Sequence, residues 1–314
     1  MNNASTLANW IPYRLEHTPQ AWMLSWLNLG EKRMIEPFFD ETITICRSKQ
    51  IGLSNFLSFS DTNLLTDAAG VIPHLKPTAI VFHVSRCGST LLTQAFSQSE
   101  TCITIAEAPI LDEILRCTEK DPKISNSARE EWFKAALNLM GQIRTGKESA
   151  YIVKLDSWHI HFYTLLREWF PETPFFFLTR SPGEIIASHA KRRGIHTVPG
   201  LVNPLLLKTD TLPPFDGNFN SFTSEVLKQY YLELQLILNL NCRFNQFFDY
   251  SGGVKEMLES FSSFTGIELG EKMYERLNFH SKSREVAFHT EPNLPDLSTK
   301  ASNDAYRQLR EMLL

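Results

Sequence analysis

The sequence predicts a mixed α/β fold in which a parallel sheet is flanked by helices. Three observations support this prediction: short apolar runs recur along the chain, helix-compatible segments separate them, and polar turns follow several of the runs. Strands that alternate with helices form parallel sheets joined by right-handed crossovers. The 314 residues, 43% of them hydrophobic and 21% charged, suffice to bury a large core and match the composition of a globular protein.

The amino-terminal part of the chain carries no chemical motif. We predict that residues 1–76 form an extension of unknown role and that a main domain covers residues 77–314, because prolines at positions 73 and 77 interrupt the pattern there. The extension is rich in aromatic residues, which indicates that they pack in a core. These residues are Trp22, Trp26, Phe38, Phe39, Phe56 and Phe59.

In the main domain, strands and helices are predicted in alternation. Buried strands are typified by continuous apolar runs such as AIVFHV and PFFFLT, and helices by apolar spacing over three to four residues. The predicted strands are 79–84, 102–105, 151–155, 174–179 and 245–250. The predicted helices are 91–96, 129–143, 161–169, 184–192, 224–240, 254–264 and 303–313.

Charge and cysteine usage exclude several classes of protein. The formal net charge of −4 argues against nucleic-acid or membrane partners attracted by global charge, so any anion site must be built locally. Five cysteines without a CxxC pair indicate reduced thiols. The amino terminus lacks the features of a secretory signal, and no run approaches the roughly 18 apolar residues that span a bilayer. We therefore predict a cytoplasmic protein; its oligomeric state is open.

A short loop between the first predicted strand and helix of the main domain is suited to bind an anion. There, backbone N–H groups and a helix amino terminus converge, a glycine lets an oxygen approach closely, and an arginine adds a fixed charge. The lysine that a Walker A loop carries after its last glycine is replaced by serine, which disfavours a nucleotide triphosphatase. A plain capping turn is the alternative. The loop consists of Ser85, Arg86, Cys87, Gly88, Ser89 and Thr90.

These residues resemble the 5′-phosphosulfate loop of sulfotransferases that use 3′-phosphoadenosine-5′-phosphosulfate (PAPS), with Cys87 in place of the usual serine. In that family an arginine at a strand end and a serine eight residues later bind the 3′-phosphate, and Arg180 and Ser188 have this spacing. The resemblance implies a three-layer P-loop-type fold, PAPS as sulfuryl donor, 3′-phosphoadenosine-5′-phosphate (PAP) as product, no metal, and an acceptor hydroxyl of unknown class.

Two further positions resemble the protein-tyrosine sulfotransferase subgroup. Glu107 lies 21 residues after Arg86, where the subgroup has its catalytic carboxylate, and Lys154 lies 26 residues before Arg180, where it has a catalytic lysine. The resemblance implies that Glu107 takes the acceptor proton while Lys154 and Arg86 stabilise the developing charge. A carboxylate in the first turn of a helix is the alternative for Glu107.

The sequence departs from the family in two places. Leu155 separates the lysine from the following aspartate, and the RxGxxGxxK element that closes over the 3′-phosphate in the cytosolic branch is missing. Lys282, Arg284 and Lys300 are the candidates to replace that element.

Other functions stay open at this point. A catalytically silent PAPS- or PAP-binding protein would carry the same binding motifs. A P-loop kinase or NTPase is disfavoured because no predicted strand ends in an acidic metal ligand. His159 and His161 suggest a metal site, but no third ligand at useful spacing accompanies them, so a packing role is favoured.

Overall fold

A computed structural model describes residues 7–53, 56–283, 285–287 and 297–314. They fall into two compact units, each assembled from separate stretches of chain. The first unit contains the described residues of Met1–Ile80, Thr90–Leu155 and Ile267–Glu285. The second contains those of Val81–Ser89, Asp156–Gly266 and Val286–Leu314. The boundary that we place after residue 76 stays a prediction.

The strands of the described residues form two sheets. An antiparallel sheet has the order β1-β2-β3, and a five-stranded sheet has the order β5-β6-β4-β7-β8, in which β5 pairs parallel to β6 and β7 parallel to β8. The predicted α/β fold class is therefore confirmed. The strands are β1 Trp10–His17, β2 Trp22–Asn28, β3 Ser58–Ser60, β4 Ala79–His83, β5 Cys102–Ala106, β6 Ala150–Lys154, β7 Phe175–Thr179 and β8 Asn245–Asp249.

Helices lie before, between and after the strands of the five-stranded sheet along the chain. In the first half of the chain they are α1 Phe39–Leu53, α2 Thr62–Val71, α3 Ser89–Phe96, α4 Pro109–Leu115, α5 Cys117–Lys120 and α6 Asn126–Met140. In the second half they are α7 Tyr163–Trp169, α8 Pro182–Lys191, α9 Pro204–Leu207, α10 Phe219–Asn239, α11 Val254–Thr265, α12 Glu271–Arg276 and α13 Lys300–Leu313. In the described part of the chain, none of them combines the length and apolar character that a membrane span requires.

The continuous apolar runs of the sequence become the most buried strands. Every residue of β4, β6 and β7 is buried, which is typical of parallel strands covered on both faces. In the second unit the rings of Phe82 and Phe177 stack at 4.9 Å between centroids, and those of Phe177 and Phe247 at 4.6 Å. Such offset ring pairs add to the stabilisation that burial of the rings provides.

The amino-terminal strands are tied into the first unit by two polar side chains, the half-buried Glu113 and the buried Gln142. Glu113 of α4 accepts hydrogen bonds from the backbone N–H of Leu15 at 2.6 Å and from Arg14 at 2.9 Å. Gln142 accepts from the N–H of Asn9 at 2.9 Å and donates to the carbonyl of Trp10 at 2.7 Å. These bonds satisfy backbone groups at the start and middle of β1.

The predicted packing of the amino-terminal aromatic residues is confirmed in part. Trp22, Trp26 and Phe39 are buried. The prediction is wrong for Phe56 and Phe59, whose exposed fractions are 87% and 54%. Phe59 lies on β3, the short edge strand of the antiparallel sheet, where nothing in the described structure covers its ring enough to bury it.

Candidate functional site

The loop after β4 has an unusual backbone. We call residues Ser85–Ser89 the glycine loop; it belongs to the second unit and leads into α3. The φ angles of Ser85, Arg86 and Gly88 are 73°, 51° and 83°, in the left-handed region that residues other than glycine rarely adopt. Left-handed residues turn successive N–H groups inward, and such loops bind anions. Strained backbone of this kind concentrates at functional sites.

Gly88 is the residue of the loop that cannot carry a side chain. A Cβ atom built on Gly88 would lie 2.6 Å from Cε2 of the Tyr250 ring and 3.4 Å from the Met257 methyl group. Together with its positive φ angle, this close approach explains why glycine stands here. Tyr250 thus packs directly on the loop backbone.

Arg180 joins the second predicted motif to the glycine loop. It follows β7, and its Nη1 donates to the carbonyl oxygen of Arg86 at 2.8 Å. Its guanidinium lies 4.6 Å from the centroid of the Tyr250 ring, and its own carbonyl accepts from the Tyr231 hydroxyl at 2.7 Å. Nε of Arg180 is buried and has no hydrogen-bond partner among the described residues. Arg180 is therefore held in place by its other contacts, while its Nε–H has no acceptor among the described residues.

A carboxylate also contacts Arg180. Glu184, in the first turn of α8, accepts from Arg180 at 3.0 Å and from the Ser181 hydroxyl at 2.6 Å. Burial raises the pKa of Glu184, but these hydrogen bonds outweigh burial and leave the pKa below its usual value. Ser188, the second residue of the predicted pair, is half-buried one turn further along α8.

The other residues of the glycine loop differ in what their side chains contact and in how deeply they are buried. The Arg86 guanidinium donates from Nη2 to the backbone carbonyl of Arg192 at 2.6 Å. Cys87 and Ser89 are buried, and Ser89 is the first residue of α3, one position later than an N-cap. Its hydroxyl and amide belong to the first turn of that helix, where anions are stabilised.

In the first unit, three predicted residues lie together. We call Thr90, Glu107 and Lys154 the lysine cluster. Lys154 ends β6 and is fully buried; its Nζ lies 2.7 Å from a carboxylate oxygen of Glu107 and donates to the hydroxyl of Thr90 at 3.0 Å. A buried ammonium needs such partners, because removing a charge from water is costly. The ring of Phe38 lies 5.2 Å from the same Nζ.

Glu107 is held by its backbone as well as by its charge. It follows β5 with a left-handed φ of 55°, and its N–H donates to the carbonyl of Lys154 at 2.9 Å. The residue lies before α4, which begins at Pro109, and not in the first turn of that helix. Its side chain keeps 24% of its surface exposed.

Of the three candidates to replace the missing carboxyl-terminal element, Lys282 lies close to the lysine cluster. Its Nζ is 5.1 Å from the centroid of Phe38, the ring that Lys154 also contacts. The buried Arg276 holds the preceding turn by donating to Gln94 of α3 at 3.3 Å and to the carbonyl of Ser281 at 3.0 Å. The other two candidates differ: Lys300 is the first residue of α13, and Arg284 lies outside the described residues.

Sequence reasoning missed several residues that shape these clusters. Tyr250 follows β8 directly, and its position at a strand end is a signal that could have found it. Phe38 carries no such signal, because it lies in the amino-terminal region, far from any motif. The contact between Ser85 and His189, which lie 104 residues apart, is another that no local pattern indicates.

One argument made from the sequence is wrong. A strand does end in an acidic residue: β8 ends at Asp249, whose carboxylate accepts from Thr179 at 2.9 Å, from Tyr306 at 2.8 Å and from the N–H of Ser251 at 3.0 Å. These bonds occupy the carboxylate within the second unit. In the residues that the structure describes, no group of three or more His, Cys, Asp or Glu side chains could hold a metal ion.

Comparisons with known proteins give a likeness in structure only. No family model matches the chain, and no curated protein matches its sequence. A sulfotransferase from Alicyclobacillus acidocaldarius is similar at 10% identity with a TM-score of 0.37, over 65% of this chain and 90% of that one. Mouse sulfotransferase SULT7A1 complexed with PAP is similar at 13% identity with a TM-score of 0.36, over 78% of this chain and 80% of that one. At these values the likeness carries no inference about function.

Proposed function

We propose that this chain is a sulfotransferase that moves a sulfuryl group from PAPS to an acceptor hydroxyl and releases PAP. The hydrogen bond from Arg180 to the carbonyl of Arg86 carries the proposal. It joins the two segments that resemble the two phosphate-binding motifs of the PAPS-dependent family.

The glycine loop would take the 5′-phosphosulfate of the donor. The left-handed φ angles of Arg86 and Gly88 suit a loop that binds anions, and Ser89 opens α3, whose first N–H groups favour an anion. Arg180 and Ser188 would take the 3′-phosphate, the former through the buried Nε that has no partner among the described residues. Charge-assisted hydrogen bonds of this kind contribute about 1.5–3 kcal/mol each.

The lysine cluster would carry the chemistry, in the roles that the protein-tyrosine sulfotransferase subgroup suggests. Thr90, the first residue of this cluster, follows Ser89 directly in the chain. The acceptor oxygen attacks the sulfur with a lone pair while the bond from sulfur to the bridging phosphate oxygen breaks and its electrons stay on PAP. Glu107 takes the acceptor proton, and Lys154 and Arg86 stabilise the charge that develops on the bridging oxygen. We propose no chemical class for the acceptor beyond its hydroxyl group.

A comparison of PAP with ADP tests donor binding, because the two nucleotides differ in the 3′-phosphate. Ligand that binds the folded state raises the melting temperature, by the equivalent of about 2.7 kcal/mol at a hundredfold excess over Kd. We expect PAP to raise the melting temperature well above the value with ADP. Equal shifts, or none, would contradict the proposal.

Sulfuryl transfer itself is tested by following PAP release from PAPS with carbohydrate, phenol, lipid and simple alcohol acceptors. Acceptor-dependent PAP release supports an enzyme. Binding of PAP without release against every acceptor would favour a catalytically silent binding protein, and magnesium-dependent ATP turnover would favour a kinase or NTPase.

A further inference from the structure

We propose that His189 is a positioning residue that turns the hydroxyl of Ser85 toward the phosphosulfate of the donor. This inference rests on the proposed function, since it assigns a task to a residue behind the glycine loop. His189 lies on α8, 104 residues along the chain from Ser85, and both are buried in the second unit.

The hydrogen-bond pattern sets which nitrogen of His189 carries the proton. Nδ1 of His189 accepts from the backbone N–H of Gly194 at 3.2 Å, so this nitrogen presents a lone pair. In a neutral imidazole the hydrogen is then on Nε2, which lies 3.0 Å from Oγ of Ser85. Nε2 therefore donates to the serine, and the serine oxygen accepts.

This hydrogen bond sets the direction in which the Ser85 hydroxyl donates its hydrogen. A hydroxyl has one hydrogen to donate and two lone pairs to accept with. Because the histidine occupies a lone pair of Ser85, the serine O–H is free to donate elsewhere, and its natural target is an anion on the loop. The backbone of Ser85 is fixed too: its N–H donates to Nδ1 of His83 at 3.1 Å, and its φ is 73°.

The surroundings keep His189 neutral. Burial lowers the pKa of His189 to about 2, and the neighbouring His196, Arg86 and Arg193 act in the same direction. The rings of His189 and His196 lie 5.1 Å apart at 84°. A protonated ring would lose the bond from Gly194, since both of its nitrogens would be donors. The arrangement therefore persists over the whole pH range of an assay.

Gly194 allows this arrangement sterically. A Cβ atom on Gly194 would lie 2.9 Å from the His196 ring and 3.2 Å from the His189 ring. The same segment receives the Arg86 guanidinium on the carbonyl of Arg192. Arg86 thus bonds to the chain that follows α8, and Ser85 bonds to His189 on α8 itself.

Three variants separate the donor at Nε2 from the other roles of the histidine. His189→Gln keeps an amide N–H near the position of Nε2, His189→Asn keeps a group near Nδ1 only, and His189→Phe fills the space without hydrogen bonds. By calorimetric titration with PAP we expect wild-type-like affinity for the Gln variant and a loss of about 5- to 10-fold for the Asn and Phe variants, the size of one hydrogen bond. His161→Gln, at a histidine of the same unit whose side chain is 3% exposed, is the control and should bind PAP normally.

A double-mutant cycle with Ser85→Ala shows whether the effect passes through the serine. In the Ser85→Ala background, His189→Asn should cause no further loss, because two residues acting through one bond are not additive. Full additivity, or a Gln variant as weak as the Phe variant, would assign His189 a merely structural role. If His189→Phe does not fold, the Asn and Gln variants and Ser85→Ala decide the question.

The outcomes also distinguish this inference from the proposed function. Wild-type protein that binds PAP while the Asn and Phe variants bind it equally well would overturn the role of His189 alone. Wild-type protein that does not bind PAP would overturn the proposed function, and the positioning role with it.

Discussion

The glycine loop and the lysine cluster are built by different means. The loop is held by packing and by hydrogen bonds without an ion pair: Tyr250 packs on Gly88, two histidines bond to Ser85, and Arg180 donates to the carbonyl of Arg86. The lysine cluster depends on an ion pair, because Lys154 is fully buried and Glu107 is its charged partner at 2.7 Å. Changes to the hydrogen-bonding groups of the loop should therefore alter ligand binding with little effect on folding. Changes in the cluster should alter both reaction and stability, since a lone buried charge is costly.

The largest effect is expected for Glu107→Gln. Loss of the base should lower turnover by about 10³-fold, within the range that general-base catalysis contributes. The amide keeps the size of the side chain, so PAP affinity should stay close to that of wild type. Turnover under PAPS saturation and PAP titration measure the two effects, with the exposed Glu100→Gln as control. Unchanged turnover would remove Glu107 from the mechanism.

Lys154→Met should lower turnover by about 10²-fold, the effect of losing one donor to developing charge. It should also lower the free energy of unfolding, because it leaves the Glu107 carboxylate without its ammonium partner. Urea unfolding and turnover are measured together, and Lys147→Met, an exposed ion-paired lysine of the same unit, is the control. If Lys154→Met left the free energy of unfolding unchanged, the lysine cluster would not differ from the glycine loop in its effect on stability.

Arg180→Met should reduce PAP affinity by about 10- to 100-fold, the equivalent of one charge-assisted bond. ADP affinity should change far less, because ADP lacks the 3′-phosphate that this arginine is proposed to bind. Calorimetric titration of both nucleotides gives the ratio, and Arg307→Met, an exposed arginine paired with Asp304, serves as control. A parallel loss for PAP and ADP would reassign Arg180 to holding the loop through the Arg86 carbonyl.

Gly88→Ala tests the loop by shape alone. The added methyl group meets the Tyr250 ring in a backbone conformation with φ of 83°. We expect a loss of about 1–3 kcal/mol in the free energy of unfolding, typical of overpacking, and weaker PAP binding. Denaturant unfolding and PAP titration check it. Gly146→Ala also changes a glycine of positive φ, but with open space around it, and should leave PAP binding intact.

The smallest effect concerns acid stability. Burial raises the pKa of Asp249, but hydrogen bonds from Ser251, Tyr306 and Thr179 outweigh it, so the folded-state pKa lies below the unfolded one. The ionised carboxylate therefore stabilises the fold above the unfolded pKa of about 3.9, and this contribution is lost as the pH falls through the folded pKa. Asp249→Asn should make unfolding free energy depend less on pH below about 4. Superimposable pH profiles for the two proteins would contradict this.

The local patterns of the chain were enough to predict the five-stranded sheet. The strands of the sheet begin and end within about two residues of the predicted bounds, because buried parallel strands require continuous apolar runs and leave a strong signal. The glycine loop was singled out from its own residues, whereas Arg180, Glu107 and Lys154 were singled out through the resemblance to the sulfotransferase family. Arg180 and Glu107 directly follow strands, and Lys154 ends one.

Contacts between distant parts of the chain were decided only by the folded structure. Three contacts join residues more than a hundred positions apart: the Tyr250 ring over Gly88, the Phe38 ring beside Lys154, and the bond from His189 to Ser85. Neither hydrophobic periodicity nor turn chemistry encodes such pairs, because both patterns describe neighbours within a few residues. Exposure at the edge of the antiparallel sheet, which left Phe59 uncovered, depends in the same way on which elements pack together.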